Sequence, residues 1–377
     1  MKKVVLILIA VLSIFFFSFT VSATEEQSIA SDLGIDTESI NEGLTPEAEY
    51  FIQEHNLTVE NTEAMTEISP VDVLIYIWEL FKAKLTNPLK VFASLLSVML
   101  VSLIVSNMED SLPDKKVSGM FGVISVLISV GIISDSVSEC IDVTSDTLVS
   151  GSEFMIGYVP VFAGITASSG SVTSAAAYNL LVILVSQLSS QLFANIIVPV
   201  LSLCMALGIV EAINPTFHFS GITEGVKKAV TFIIGFIMTI FIGLMSLQSI
   251  VGASADTLGA KAAKYMVSNW IPFVGGAIAD TYTTVKHSLG LLRGGTGFLG
   301  IAVIFIMIVP TLLEVIAIRA VFSIADTIAD VFGISQIRIL LKNTGWIMSI
   351  IFSILICFSV MLIISTTILM LVGLNIS

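Results

Sequence analysis

The stretch "NWIPFVGGAIADTYTTVKHSLG", Asn269 to Gly290, decides how this chain is read. Its front end is apolar enough for a membrane, yet Pro272, the Gly275-Gly276 pair and Asp280 interrupt it as a span. Proline removes a backbone donor and crowds the preceding turn, and glycine lets the chain reverse. Broken backbone lies at membrane depth only where protein or a water-filled cavity surrounds it, because lipid leaves its N–H and C=O groups unsatisfied.

The pattern occurs twice. "GYVPVFAGI" (Gly157–Ile165) matches "NWIPFVGGAI", sharing Pro-x-x-x-Gly at Pro160/Gly164 and Pro272/Gly276. Around this pair, Lys115-Lys116 answers Lys227-Lys228, "SDTL" from Ser145 answers "ADTL" from Ala255, and Phe154-Met155 answers Tyr265-Met266. "IIVPVL" from Ile196 answers "MIVPTL" from Met307, and "FSGI" from Phe219 answers "VFGI" from Val331. All six fall in order at offsets of 110 to 112 residues. A period of this length means a duplicated helical bundle, not a solenoid. One unit covers 115–226, the second 227–337, and 338–377 holds a C-terminal span.

Composition sets the class. The 377 residues are 55% hydrophobic and 12% charged, against about 25% charged in soluble domains, with mean hydropathy +1.01. The expected fold is an all-α membrane protein with about six transmembrane helices. The runs are Leu89–Ser106, Val117–Ser134, Gln187–Gly208, Ala229–Ile250, Gly297–Ile318 and Trp346–Val372.

The net charge of −13 belongs to one segment, since Val4 to Phe81 holds 14 Asp and Glu and no Lys or Arg. Ahead of it, Lys2-Lys3, an apolar run to Phe19 and the small residues Val21-Ser22-Ala23 read as a signal peptide over 1–23, or as an uncleaved anchor. Residues 24–69 are then an acidic exported segment. Ser69 and Pro70 open an amphipathic helix over 70–88, which lies along the membrane interface or packs on the protein. The first span and a cytoplasmic loop occupy 89–114. If each broken segment dips in and returns, each unit crosses twice and both Lys-Lys pairs share the cytoplasmic side.

Two roles fit the broken segments: re-entrant hairpins lining a path, or interfacial hairpins bracing the spans. The candidate hairpin or conduit residues are Pro160, Gly164, Pro272, Gly275 and Gly276. The small residues of Ser168–Ala177 allow close backbone approach. Glu314, five residues before Arg319, is the candidate intramembrane charge, serving conduction or partner contact or reaching the headgroups. Asp146 and Asp256, each followed by Thr, read as helix caps rather than ion ligands. Lys286 and Arg293 distinguish the second copy, because Val117 to Val226 carries no Lys or Arg, and they are candidates for contact with an acidic partner.

The three Cys and three His are scattered without metal or disulfide spacing. "GGTG" at Gly294–Gly297 lacks the strand that a phosphate loop needs. No catalytic constellation is present, so no enzyme activity and no cofactor are expected, and the few dispersed basic residues do not suggest nucleic acid.

"PVFAG" (Pro160–Gly164) followed by "TSAAAYN" (Thr173–Asn179), and "IPFVGGAIADTYTTV" (Ile271–Val285) followed by "GTG" (Gly295–Gly297), resemble the stage III sporulation protein AE family. The resemblance runs from about Leu89 to Leu374. It implies a non-enzymatic membrane subunit of the secretion-like channel complex between mother cell and forespore, in the mother-cell membrane around the forespore. It also implies partners: an ATPase, small membrane proteins and ring-forming proteins of the same complex. A different class, a secondary transporter with a substrate site between the two units, is the alternative.

Overall fold

The computed structural model describes residues 44–54, 70–107, 115–214, 216–217, 219–270 and 275–371. The described residues are helical apart from short connections. They form α1 (Pro46–Glu54), α2 (Pro70–Asn107), α3 (Lys115–Ser168), α4 (Val172–Leu192), a π turn (Phe193–Ile197), α5 (Val198–Ile213), α6 (Ser220–Trp270), α7 (Gly275–Val331) and α8 (Ser335–Leu371). Six helical segments are long and apolar enough to cross a membrane, and each overlaps one of the six apolar runs. The expected signal peptide lies outside the described residues.

The helices are longer than the apolar runs. At about 1.5 Å per residue, the 57 residues of α7 extend about 85 Å, against a hydrocarbon layer of about 30 Å. Helix α2 continues through Pro88, with no break between the amphipathic segment and the apolar one. The acidic segment contributes α1, whose Ala48 and Phe51 are buried and whose Phe51 ring meets Tyr76 of α2 at 5.3 Å.

One expectation is corrected. Pro160 and Gly164 do not break the chain, because both lie inside α3, which continues to Ser168. Proline removes one hydrogen bond from a helix, and packed neighbours hold the remaining ladder in place. Gly164 is not a close-approach point either, since a Cβ there would meet nothing. The reversal comes at Gly170, with φ 95°. There Ser171 N–H donates to Thr166 O and Gly170 N–H to Ala167 O, the paired bonds of a glycine C-cap. Gly333 (φ 73°) closes α7 the same way, with Ile334 N–H on Ala329 O and Gly333 N–H on Asp330 O. Arg338 pairs with Asp326 and Asp330 across that turn. The second Pro-x-x-x-Gly copy falls between two of these helices. Helix α6 ends at Trp270 and α7 begins at Gly275-Gly276, while Pro272 lies outside the described residues.

The core is built on α7 and α8, apolar on most faces and mostly buried, as a helix without a polar face must be. Helix α7 packs against α8, α3 and α2. Phe154, Tyr158 and Phe162 of α3, four residues apart, form an aromatic ladder with centroids 5.2 and 5.4 Å apart. Glycines of α7 receive it. A Cβ on Gly300 would lie 2.3 Å from the Tyr158 ring, and one on Gly297 would lie 3.1 Å from Phe162. Tyr158 OH donates to Thr296 O at 3.0 Å. The "GGTGFLG" sequence is thus a packing seam.

Candidate functional site

Three polar ties join helices distant in sequence. Glu314 of α7 is buried and accepts from Lys84 Nζ of α2 at 3.0 Å, the side chains 8% and 34% exposed. Asn87 of α2 donates to Glu139 of α3 at 2.8 Å, and the Thr147 and Thr311 hydroxyls bond at 2.7 Å between α3 and α7. The candidate charge Glu314 therefore lies inside the bundle with a cationic partner, where it docks α2 on α7.

A further tie, beyond these three, is Asp256. Its two carboxylate oxygens accept the backbone N–H groups of Thr173 (2.9 Å) and Ser174 (3.0 Å), in the first turn of α4. Asp256 is buried. It caps a helix as expected, but in another element from its own. Ser171, the residue at the cap position of α4, makes no side-chain cap. Backbones come close here, since a Cβ on Gly252 would sit 3.1 Å from Ser174 Cα. Asp146, which the sequence reading matches to it, is an exposed mid-helix residue of α3 and caps nothing.

Among the other candidates, Arg293 is buried at 3% exposure within α7, so it is not on a surface open to a partner. Lys286 belongs to the backbone of α7, and its side chain is outside the described residues. Of the hairpin candidates, Pro160 and Gly164 lie in α3 away from the cavity described below, and Pro272 lies outside the described residues.

What the sequence reading missed is a charged face. Asp135, Glu139, Asp142, Asp146 and Glu153 recur at spacings of three, four or seven along α3, and all five are exposed. That spacing puts them on one side of a helix. They lie within or beside a segment long and apolar enough to cross a membrane, Val123–Ser168. A carboxylate presented to hydrocarbon costs about 2.5–3.5 kcal/mol. Beside the stripe is a cavity of about 160 Å³ lined by Val149, Ser152, Glu153, Gln187, Ser190, Gln191, Ala194 and Asn195. Ser152 is 2% exposed and its hydroxyl has no hydrogen-bond partner, whereas Ser190 donates to Leu148 O at 2.9 Å. The π turn beside this cavity has a local cause. Pro199 has no N–H for the Asn195 carbonyl and its ring crowds that group, so the helix widens just before it, with Val198 N–H reaching Phe193 O. Among the described residues no cluster of three or more His, Cys, Asp or Glu could hold a metal ion.

The chain is 23% identical over 294 residues to the stage III sporulation protein AE of Bacillus subtilis (strain 168), covering 78% of this chain and 73% of that protein. No solved structure matches. The family model described as stage III sporulation protein AE matches residues 55–373, from ahead of α2 to beyond the end of α8. The chain therefore belongs to the stage III sporulation protein AE family.

Proposed function

We propose that this protein is a non-enzymatic integral membrane subunit of a secretion-like channel complex that connects mother cell and forespore and sustains forespore development after engulfment. The observation that carries the reading is the family match over 55–373, taken with six membrane-length helices in that same region. On this reading the N-terminus is exported and the chain sits in the mother-cell membrane around the forespore. Its partners are an ATPase, ring-forming proteins and small membrane proteins of the same complex.

The topology has support from charge. Lys227 and Lys228 near the start of α6, Arg338 and Lys342 near the start of α8, and the Lys115-Lys116 pair opening α3 fall at one end of the bundle. On this reading that is the cytoplasmic end by the positive-inside rule, with Lys261, Lys264, Lys286 and Arg293 as the basic residues that go against it. Helices α3 and α6 both carry a Lys-Lys pair near their start and both feed a long returning helix, in keeping with two repeat units.

Deleting the gene in the native host and following forespores after engulfment tests the role. Arrest, reversed by supplying the full chain, is expected, together with recovery of the ATPase when the protein is purified from sporulating membranes. Normal forespore development in the deletion strain refutes it.

A further inference from the structure

The cross-helix contacts fix which parts of the long helices lie side by side. Thr147 meets Thr311 and Tyr158 meets Thr296, so the stretch of α3 from 147 to 158 lies against 296–311 of α7. A Cβ on Gly151 of α3 would touch Phe358 of α8. Ser190 of α4 bonds Leu148, and Tyr178 of α4 reaches Met245 O of α6 at 3.5 Å. Tyr178 lies 12 residues, about 18 Å, along α4 from Ser190. One level of the bundle therefore contains Asp146 and Glu153 of α3, the most apolar parts of α7 and α8, and the stretch of α6 around Phe236 and Ile240 rather than Met245.

At that level α6 exposes Phe236 and Ile240, and further along Leu244 and Leu247, a face with no charge. If hydrocarbon covers this face of α6, the α3 face at the same depth cannot also be turned to lipid. Yet α3 exposes Asp142, Asp146 and Glu153 there, and α4 and the π turn after it add Gln191 and Asn195. Ser152, unpartnered and buried, lines the cavity between those two helices. It needs a small hydrogen-bonding occupant, which water fills and a lipid chain does not.

We propose that the α3 face bearing Asp142, Asp146 and Glu153, with the polar edge of α4, lines a water-filled path inside the bilayer that attracts hydrated cations and repels anions. This deepens the channel reading and rests on it. Among the described residues no Lys or Arg pairs with Asp142, Asp146 or Glu153. Rows of Asp and Glu in a low-dielectric passage are what select cations in pores.

The test uses the full chain in membranes of the sporulating native host. The three native cysteines are buried, so thiols introduced as Asp146→Cys, Glu153→Cys and Gln191→Cys can be read against the unsubstituted protein. Each is treated with a cationic and with an anionic membrane-impermeant methanethiosulfonate, rates being normalised to a free thiol in solution. Phe236→Cys and Leu247→Cys on α6 serve as lipid-facing controls. Modification at the three polar positions and none at the controls is expected, with a normalised preference for the cationic reagent on the order of tenfold. That preference should fall when Asp142→Asn is added to Glu153→Cys. If Asp146→Cys or Glu153→Cys fails to accumulate, Gln191→Cys carries the same comparison. Unreactive polar positions, or equal normalised rates for the two reagents, overturn the proposal. The channel reading stands or falls separately, on forespore development in the deletion strain.

Discussion

Asp256→Ala is the perturbation whose cost can be worked most directly from the structure. The carboxylate accepts two backbone N–H groups of α4 at 2.9 and 3.0 Å, in a site where Asp256 is buried. Losing a helix cap costs about 0.5–2 kcal/mol, and each buried donor left unpaired adds about 1–3 kcal/mol. Water entering the truncated site offsets part of that, so a net loss of about 2–4 kcal/mol is expected. For a chain of this size each kcal/mol lowers Tm by about 1.3 °C. The midpoint of purified protein in detergent, followed by fluorescence-detected gel filtration, should drop by about 3–5 °C. Asp256→Asn keeps one acceptor oxygen and turns an amide N–H₂ toward the other donor, so it should lose at least half as much. Asp146→Ala, at the residue matched to it in sequence, should stay within about 0.5 kcal/mol of the parent. If Asp256→Ala melts with the unsubstituted protein, the cap does not hold α4 and the reasoning fails.

Three further outcomes follow from the packing. Lys84→Met strands the buried Glu314 carboxylate and should cost about 3 kcal/mol. Glu314→Gln should cost only about 1 kcal/mol, because Lys84 is a third exposed and can reach water. Equal losses in thermal denaturation would contradict that asymmetry. Gly300→Ala forces a methyl into the Tyr158 ring and should destabilise by about 1–3 kcal/mol, while Tyr158→Phe loses only the bond to Thr296 O, about 1 kcal/mol. Gly170→Ala must hold a side chain at φ 95° and should cost about 1–2 kcal/mol. An Asn substitution there, which tolerates that region better, should recover part of the loss.

The sequence makes the six spans legible because each rests on an apolar run long enough to cross the hydrocarbon layer. Helix lengths are not, since helix continues past those runs into stretches such as Asp135–Glu153 whose charges keep to one face. Pro160 misleads because the rule that proline ends a helix describes an isolated one, whereas the bundle supports α3 on its other sides. The true reversal was written in "SSGS", Ser168–Ser171, a glycine stop between small polar residues that also reads as a close-packing run. Glu314 stands out from sequence, yet its partner lies 230 residues away, and nothing local names Lys84. Asp256 was legible as a cap, but not as the cap of a helix that starts 84 residues before it.

The long-range ties also set an order in time. Helix α4 is synthesised with its first turn uncapped, and the residue that completes it arrives only with α6. Lys84 likewise enters the membrane without its counter-ion, which is delivered two helical hairpins later by α7. The first half of the chain is therefore a waiting intermediate rather than a finished domain. A ribosome stalled after α5 would leave a nascent protein whose hairpin tip and α2 are both unlocked, the form that membrane quality control should find easiest to recognise.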